Sequence, residues 1–327
     1  SYKGDFQNAL NFWEESLKIK KSLGKVIDQA VLQNNIAIYY LVIEEYDQAL
    51  NFFYEALRSI KPFEISKTIT GILLNIGDTY FNSGNLEKAL HFVHRSLDLT
   101  FNGSMEYIKS NCLLSLIKYY LISEDLNNVA RYHNELLELA TRNQSTYTHL
   151  MEKYAQAIIL KSSSNKDDKH HAKSLFQQFL KPTVLDYQLF GNIVLNLADI
   201  LIQEIYHTGN QKSLAELINI VEELYEDAQD KQLFHYVIDS LILKSKIVLI
   251  NKEFYKAEFL LDQAVIIAED NKFMALISKV KVAQLHLQMK INENVEAVQS
   301  NQSLQERIDL SGLLPYINSQ LTHRIIE

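Results

Sequence analysis

Apolar positions along this chain recur with the spacing of a helix face, and the faces themselves recur. From Leu73 to Leu99 the sequence reads LLNIGDTYFNSGNLEKALHFVHRSLDL. Leu73, Ile76, Gly77 and Tyr80 stand at i, i+3, i+4 and i+7, one face of an α-helix. Gly84 marks a turn, and Leu86, Ala89, Leu90, Val93 and Leu97 then form a second face. The pattern predicts two antiparallel helices, A and B, joined by a short turn. Gly77 and Ala89 are the small members of the two faces, and small residues let the helices approach closely where they cross. A bulkier side chain at either position overpacks the contact, at about 1–3 kcal/mol.

The unit repeats. Ala9, Ala49, Ala89 and Val129 stand 40 residues apart in the same local pattern. A fixed period of this size means stacked copies of one helical hairpin, and a hairpin that cannot bury its apolar face alone must stack into a solenoid. The preceding copy carries Ile36, Ala37, Tyr40, Tyr46, Ala49, Phe53 and Ala56, with Pro62 after it, and the one before supplies Phe6, Ala9 and Trp13. The following copy has Leu113, Leu116, Tyr120, Leu126, Val129 and Leu136, with Ile117 and Val129 where small residues stand elsewhere. After Ala140 the register slips. Ser162–Lys169, SSSNKDDK, reads as a polar loop, with His170 and His171 beside it. Ala172, Phe176 and Phe179 resume a helix-B pattern, Val194, Leu197, Ala198 and Leu201 a helix A with a late turn near Gly209 and Asn210, and Phe254, Ala257, Leu261 and Ala264 a further B. The expectation is about seven helix pairs and a final helix. Residues 1–140 form regular repeats, 141–300 degenerate repeats of the same solenoid, and 301–327 a C-terminal capping or linker helix.

The residues Ile36, Ala37, Tyr40, Ala49, Phe53 and their equivalents resemble the tetratricopeptide repeat, whose unit has a W-x2-L-G-x2-Y…A-x3-F pattern. The resemblance is to the long-unit type, in which the extra residues lengthen both helices. It implies an all-α, right-handed superhelical solenoid of antiparallel helix pairs. It also implies a concave groove lined by helix A that holds an extended peptide or a segment of a partner protein.

Carried onto this chain, the groove positions are Asn34, Asn35, Ile38, Leu41 and Val42 in one copy. In the next they are Leu74, Asn75, Asp78, Phe81 and Asn82, and in the third Asn111, Leu114, Ser115, Lys118, Leu121 and Ile122. LNLADIL echoes LNIGDTY, which aligns Asn196 with Asn75 and Asp199 with Asp78. Asn recurs at one position, Asn35, Asn75 and Asn196. An amide side chain carries a donor and an acceptor, so a ladder of them pairs with peptide backbone largely independent of sequence. Asp78 and Asp199 favour a neutral or basic peptide, and Lys118 alone does not make a carboxylate clamp. The apolar groove positions point to a partner that covers them.

Composition narrows the function. Nine Gly and three Pro in 327 residues favour helices over a many-stranded sheet. A net charge of -8 weighs against nucleic acid. The longest apolar stretches are interrupted by charge, which weighs against a membrane span. Cys112 is the only cysteine and sits in an apolar stretch, consistent with a buried thiol in a cytoplasmic protein. His91 and His94 lack an obvious third metal ligand. No nucleophile elbow, phosphate loop or zinc motif occurs, so neither an enzyme nor a cofactor is expected. Ser1 begins the chain in the second half of a repeat, which reads as a segment of a longer protein.

Near the other end, Ile308, Asp309, Leu310, Leu313, Leu314 and Ile317 make an amphipathic helix suited to capping the solenoid. The same stretch resembles the helix that leads into GAF-type sensor domains. The function expected is a peptide- or protein-binding scaffold. The alternative is a regulatory input domain that controls a linked signalling or transcription effector.

Overall fold

The structure is a computed structural model that describes residues 6–60, 67–100, 105–143, 145–180, 187–294 and 303–322, without the side chains of 6–9, 187–188, 292–294 and 322. Pro62 and the side chains of Phe6 and Ala9 therefore lie outside the described residues. Among the described residues the chain is all α, with sixteen helices in adjacent antiparallel pairs and no strand. The packing divides it into two units, Asn8–Gln178 and Phe179–Glu327.

The N-terminal unit holds α1 (Phe6–Ser22), α2 (Val26–Val42), α3 (Tyr46–Ser59), α4 (Lys67–Asn82), α5 (Leu86–Leu99), α6 (Glu106–Ile122), α7 (Leu126–Arg142), α8 (Thr146–Ser162) and α9 (Lys166–Phe179). α2 pairs with α3, α4 with α5 and α6 with α7. Each B helix also packs on the next A, and the A helices α2, α4, α6 and α8 pack side by side. This nearest-neighbour arrangement buries the apolar faces read from the sequence: Ala37, Ala49, Phe53, Ile76, Ala89, Val93, Leu113 and Leu136 are all fully buried. Gly77 marks a close crossing of α4 and α5. A Cβ there would lie 2.5 Å from Cγ2 of Val93 and 3.2 Å from the Ala89 carbonyl oxygen. One pair further on, Ile117 and Val129 occupy the small positions and are themselves buried, so that crossing accommodates branched side chains.

An aromatic clamp repeats with the unit. Tyr40 stacks on Phe52, Tyr80 on Phe92 and Tyr120 on Tyr132, with centroids 5.5, 5.7 and 5.7 Å apart. Each stack joins helix A to its own helix B near the turn. The turns share one geometry as well. Glu44, Gly84 and Glu124 are left-handed, with φ of 64°, 83° and 58°. The next amide reaches back to a tyrosine carbonyl each time, Glu45 to Tyr40, Asn85 to Tyr80 and Asp125 to Tyr120, at 2.8, 2.7 and 3.0 Å. This is the Schellman closure, for which glycine is the residue without a Cβ penalty. Only Gly84 uses it.

The period persists further than the sequence pattern indicates. The B helices start at 46, 86, 126 and 166, so the 40-residue step holds through α9. Ser162–Lys169 is not one loop: α9 begins at Lys166, with Asp167 and Asp168 in its first turn, where carboxylates complement the helix dipole. Asp168 also accepts a 2.6 Å hydrogen bond from Ser163 Oγ. His170 and His171 sit on this helix and remain exposed. The marker Ala172 comes late because the packing position has moved about one turn along a helix that starts on schedule. The two compact units divide between Gln178 and Phe179.

The C-terminal unit contains α10 (Tyr187–Thr208), α11 (Gln211–Asp230), α12 (Phe234–Ile250), α13 (Phe254–Asp270), α14 (Met274–Asn294), α15 (Leu304–Ser311) and α16 (Leu313–Thr322). Its first pair is lengthened to 22 and 20 residues. Within α10, Leu189–Thr208 is long and apolar enough to cross a membrane, yet Ile193, Leu197 and Leu201 are fully buried inside the protein. The end of the chain differs from the single helix expected. Gly312, left-handed at φ 61°, breaks it into α15 and α16, and Pro315 falls in the first turn of α16, where a missing N–H is tolerated. Ser303 and Glu306 form a capping box on α15. Both short helices dock on α10 and α12, burying Ile308, Leu313 and Ile317.

Two substitutions in α4 separate close contact from helix propensity. Gly77→Ala is expected to destabilise the N-terminal unit by about 1–2 kcal/mol, because overpacking outweighs the propensity gained. Gly71→Ala, with nothing within 4 Å of its added Cβ, is expected to stabilise by about 1 kcal/mol. Urea melts of both variants check the opposite signs. At the turns, Glu44→Gly and Glu124→Gly are each expected to raise stability by about 0.5–1 kcal/mol, by relieving a left-handed non-glycine residue. A fall in melting temperature for both variants contradicts that reading of the turn.

Candidate ligand-binding face of the A helices

The face formed by α2, α4, α6 and α8 carries hydrogen bonds that cross from one repeat to the next. Asn75 Nδ2 donates to Asn34 Oδ1 at 3.0 Å, across 41 residues of sequence. Ser115 Oγ donates to Asp78 Oδ1 at 2.9 Å, and the Tyr119 hydroxyl donates to the same oxygen. Tyr147 donates to Asn111 Oδ1 at 2.6 Å. Beside Asp78, the Lys118 ammonium lies over the Phe81 ring, 5.8 Å from its centroid, and Phe81 stacks on Tyr119 at 4.2 Å. Burial dominates the electrostatics of this cluster. It raises the Asp78 carboxyl, against the opposing pull of Lys118, Tyr119 and Ser115. It lowers the Lys118 ammonium, against the attraction of Asp78.

The groove residues expected from the sequence thus divide. Asn34, Asn75, Asp78 and Lys118 come together on one face, half-buried, with Asn35 and Asn82 half-buried alongside and without side-chain hydrogen bonds among the described residues. Asp78 is already held by Ser115 and Tyr119, so it does not present a bare carboxylate to a basic peptide. Leu41, Leu74, Phe81 and Leu114 are buried by the protein's own packing, which leaves Ile38, at 37% exposed, as the most open apolar member.

Asn196 and Asp199 belong to the C-terminal unit. They lie on α10, 5% and 3% exposed. Asn196 Nδ2 donates to the Asn192 carbonyl at 2.8 Å, and Asp199 accepts from Gln203 at 3.0 Å. Spacing puts them on one stripe with Tyr206, whose carbonyl accepts from Gln305 of α15 at 2.7 Å. The other candidates have local partners. His94 bonds the Tyr120 hydroxyl at 3.1 Å. Cys112 is fully buried against Ser96 Oγ at 3.3 Å, and burial pushes its thiol up to about 12.

Compared with known protein families, residues 1–279 match the MalT-like TPR region. The chain belongs to the MalT-like TPR family. No curated protein matches it significantly. In this MalT-like TPR protein the matched segment covers every A–B pair, while α15 and α16 lie beyond it.

A second polar feature of the MalT-like TPR fold escaped sequence reasoning. Lys246 sits in the apolar run of α12 and is only 8% exposed. Its ammonium lies 5.4 Å from the centroid of the Tyr316 ring of α16. It has no hydrogen bond or ion pair among the described residues, and burial alone pushes it down to about 8. By contrast, Lys279 of α14, nearby, is held by Asp239 at 2.8 Å and Gln320 at 2.9 Å. The one signal available was a lysine flanked by Leu243, Ile247 and Leu249, which a sequence pattern cannot tell from an amphipathic side chain reaching solvent.

Lys246→Met is expected to stabilise the protein by about 2–3 kcal/mol at neutral pH, since the wild type holds a desolvated ammonium. The amine titrates near 10.5 when unfolded and near 8 when folded. The wild-type penalty is therefore complete below the folded value and vanishes above the unfolded one, so the advantage of Met should shrink as pH rises between them. Denaturation series across that range check this, and a gain independent of pH contradicts a buried ammonium.

Proposed function

We propose that this chain is a binding scaffold that holds an extended peptide, or a peptide-like segment of a partner protein, along the α2–α4–α6 face of its N-terminal unit. One observation carries the reading. The bond between Asn34 and Asn75 uses only one end of each amide. The Asn34 amino group and the Asn75 carbonyl oxygen remain, one donor and one acceptor, which is the complement of one peptide unit. Asn35 adds a further amide beside them. The pair is also pre-oriented by its mutual bond, which lowers the entropic cost of ordering it on binding. A buried free thiol at Cys112 and a modest negative charge are compatible with the cytoplasmic setting proposed for such a scaffold.

A second reading, a regulatory input domain for a linked effector, draws support from the C-terminal unit. There α15 and α16 lie on α10 and α12, so anything that moved these helices would reposition whatever chain follows them.

The peptide reading is tested by selecting binders to residues 1–327 from a displayed random-peptide library and measuring them against Asn35→Ala/Asn75→Ala. Each lost hydrogen bond contributes about 0.5–1.5 kcal/mol, so the double variant is expected to lose tenfold or more in affinity. Its helicity should be unchanged and its melting temperature lower by no more than a few degrees. Peptides that bind the double variant as tightly as the wild type place the site elsewhere and sink the proposal.

A further inference from the structure

Between α12, α14 and the α15–α16 hairpin lies a cavity of about 470 Å³, within the range of small-molecule sites. Its walls are mostly apolar, with Leu249, Leu261, Leu287, Leu310 and Pro315 among them. Lys246 is at its inner side, more than nine-tenths buried. Gly312 brings the turn between the two short helices against this amine: a Cβ on Gly312 would stand 3.5 Å from Lys246 Nζ. A mostly apolar cavity with a buried ammonium, Lys246, that has no ion pair or hydrogen bond among the described residues is chemically incomplete. Removing an ammonium from water costs several kcal/mol unless a counter-charge compensates, and the Tyr316 ring face supplies only a fraction of that.

We infer that this cavity binds a small carboxylate with an apolar body, its carboxylate paired with Lys246 and its hydrocarbon part lying along α14 and α16. The other charged groups around the cavity do not already fill that role. On α12 and α14, Asp239 and Lys279 are paired with each other at 2.8 Å. On α15, Asp309 is within 3.5 Å of the Tyr206 hydroxyl, and Arg307 donates to the Ile250 carbonyl at 2.9 Å. Lys290 of α14 also lines the cavity and adds positive potential on that side. Burial lowers the Lys246 amine, and a bound carboxylate would raise it again. Because the cavity is closed on one side by α15 and α16, its occupant would hold the hairpin to α12 and α14.

The test is calorimetric titration of the whole chain with decanoate and with N-acetyl-leucyl-leucine, using decan-1-ol and the amidated dipeptide as neutral controls. At least one carboxylate is expected to bind in the micromolar range. Its neutral counterpart should bind tenfold more weakly or worse, the usual worth of a charge-assisted hydrogen bond. Decanoate binding without dipeptide binding identifies a free aliphatic acid as the ligand type, and the reverse identifies a peptide C-terminus. Lys246→Met should lose tenfold or more of the affinity while remaining fully helical. In the wild type, the same affinity should fall by about tenfold from pH 7 to pH 9.5 as the amine loses its proton, with no such fall in Lys246→Met. That contrast separates Lys246 from Lys279, His286 and Lys290, and it needs no variant to establish that wild-type binding is pH-dependent. The inference is overturned if neither carboxylate binds at about 1 mM, or if binding is the same for the neutral controls, for Lys246→Met, or at both pH values. Failure here leaves the peptide face of the N-terminal unit untouched, because the two sites share no residue.

Discussion

The close crossing of helix A and helix B is the constraint on which the N-terminal unit depends. At Gly77 the backbone of α4 rests against Val93 and Ala89 of α5, nearer than any side chain would allow. Two helices held at that distance bury one face each and leave the rest of their apolar stripes uncovered. The next pair must cover them, so each B helix packs on the following A and the A helices align side by side. Every contact in such a stack is between neighbours, and stability is built locally, repeat by repeat. The aromatic stacks at Tyr40–Phe52, Tyr80–Phe92 and Tyr120–Tyr132 reinforce the same joint near its turn.

The polar side chains follow the same geometry. With A helices adjacent, residues one repeat apart face each other, and Asn34–Asn75, Asp78–Ser115 and Asn111–Tyr147 are bonded for that reason. The inner face is thus partly structural. Amides that tie the repeats together use only one end of each side chain in doing so, which joins the solenoid's rigidity to its proposed capacity for backbone recognition. In the C-terminal unit the equivalent stripe of α10 is covered by the protein itself, with Tyr206 held by Gln305 and Asn196 and Asp199 buried. Two copies of one motif, LNIGDTY and LNLADIL, therefore reach opposite fates, one on an open face and one in a core.

Much of the fold was legible because it is local. Helical spacing is a property of a few consecutive residues, and the small residues at Gly77 and Ala89 declare a close crossing wherever they recur. The all-α class and the core positions follow from that periodicity, and the family from the match over residues 1–279. The turns were legible only where glycine announces them: Glu44 and Glu124 adopt the left-handed conformation of Gly84 without its signature. The register was under-read past Ala140 because the packing alanine of α9 moves by nearly one turn, which keeps the face but shifts the marker.

The candidate sites depended on what lies far away in the chain. Nothing near Asn196 in sequence indicates that α15, about 100 residues later, lies against its helix. Nothing near Lys246 distinguishes a lysine that reaches solvent from one enclosed by Tyr316 and Gly312. By itself, the sequence determined the repeat, the pairing of helices and the residues that face inward, because these rest on contacts between near neighbours. Only the tertiary structure decided which polar stripe is buried and where, among the described residues, an ammonium is left without an ion pair. Burial and charge compensation are sums over all surrounding elements, and no local pattern carries them.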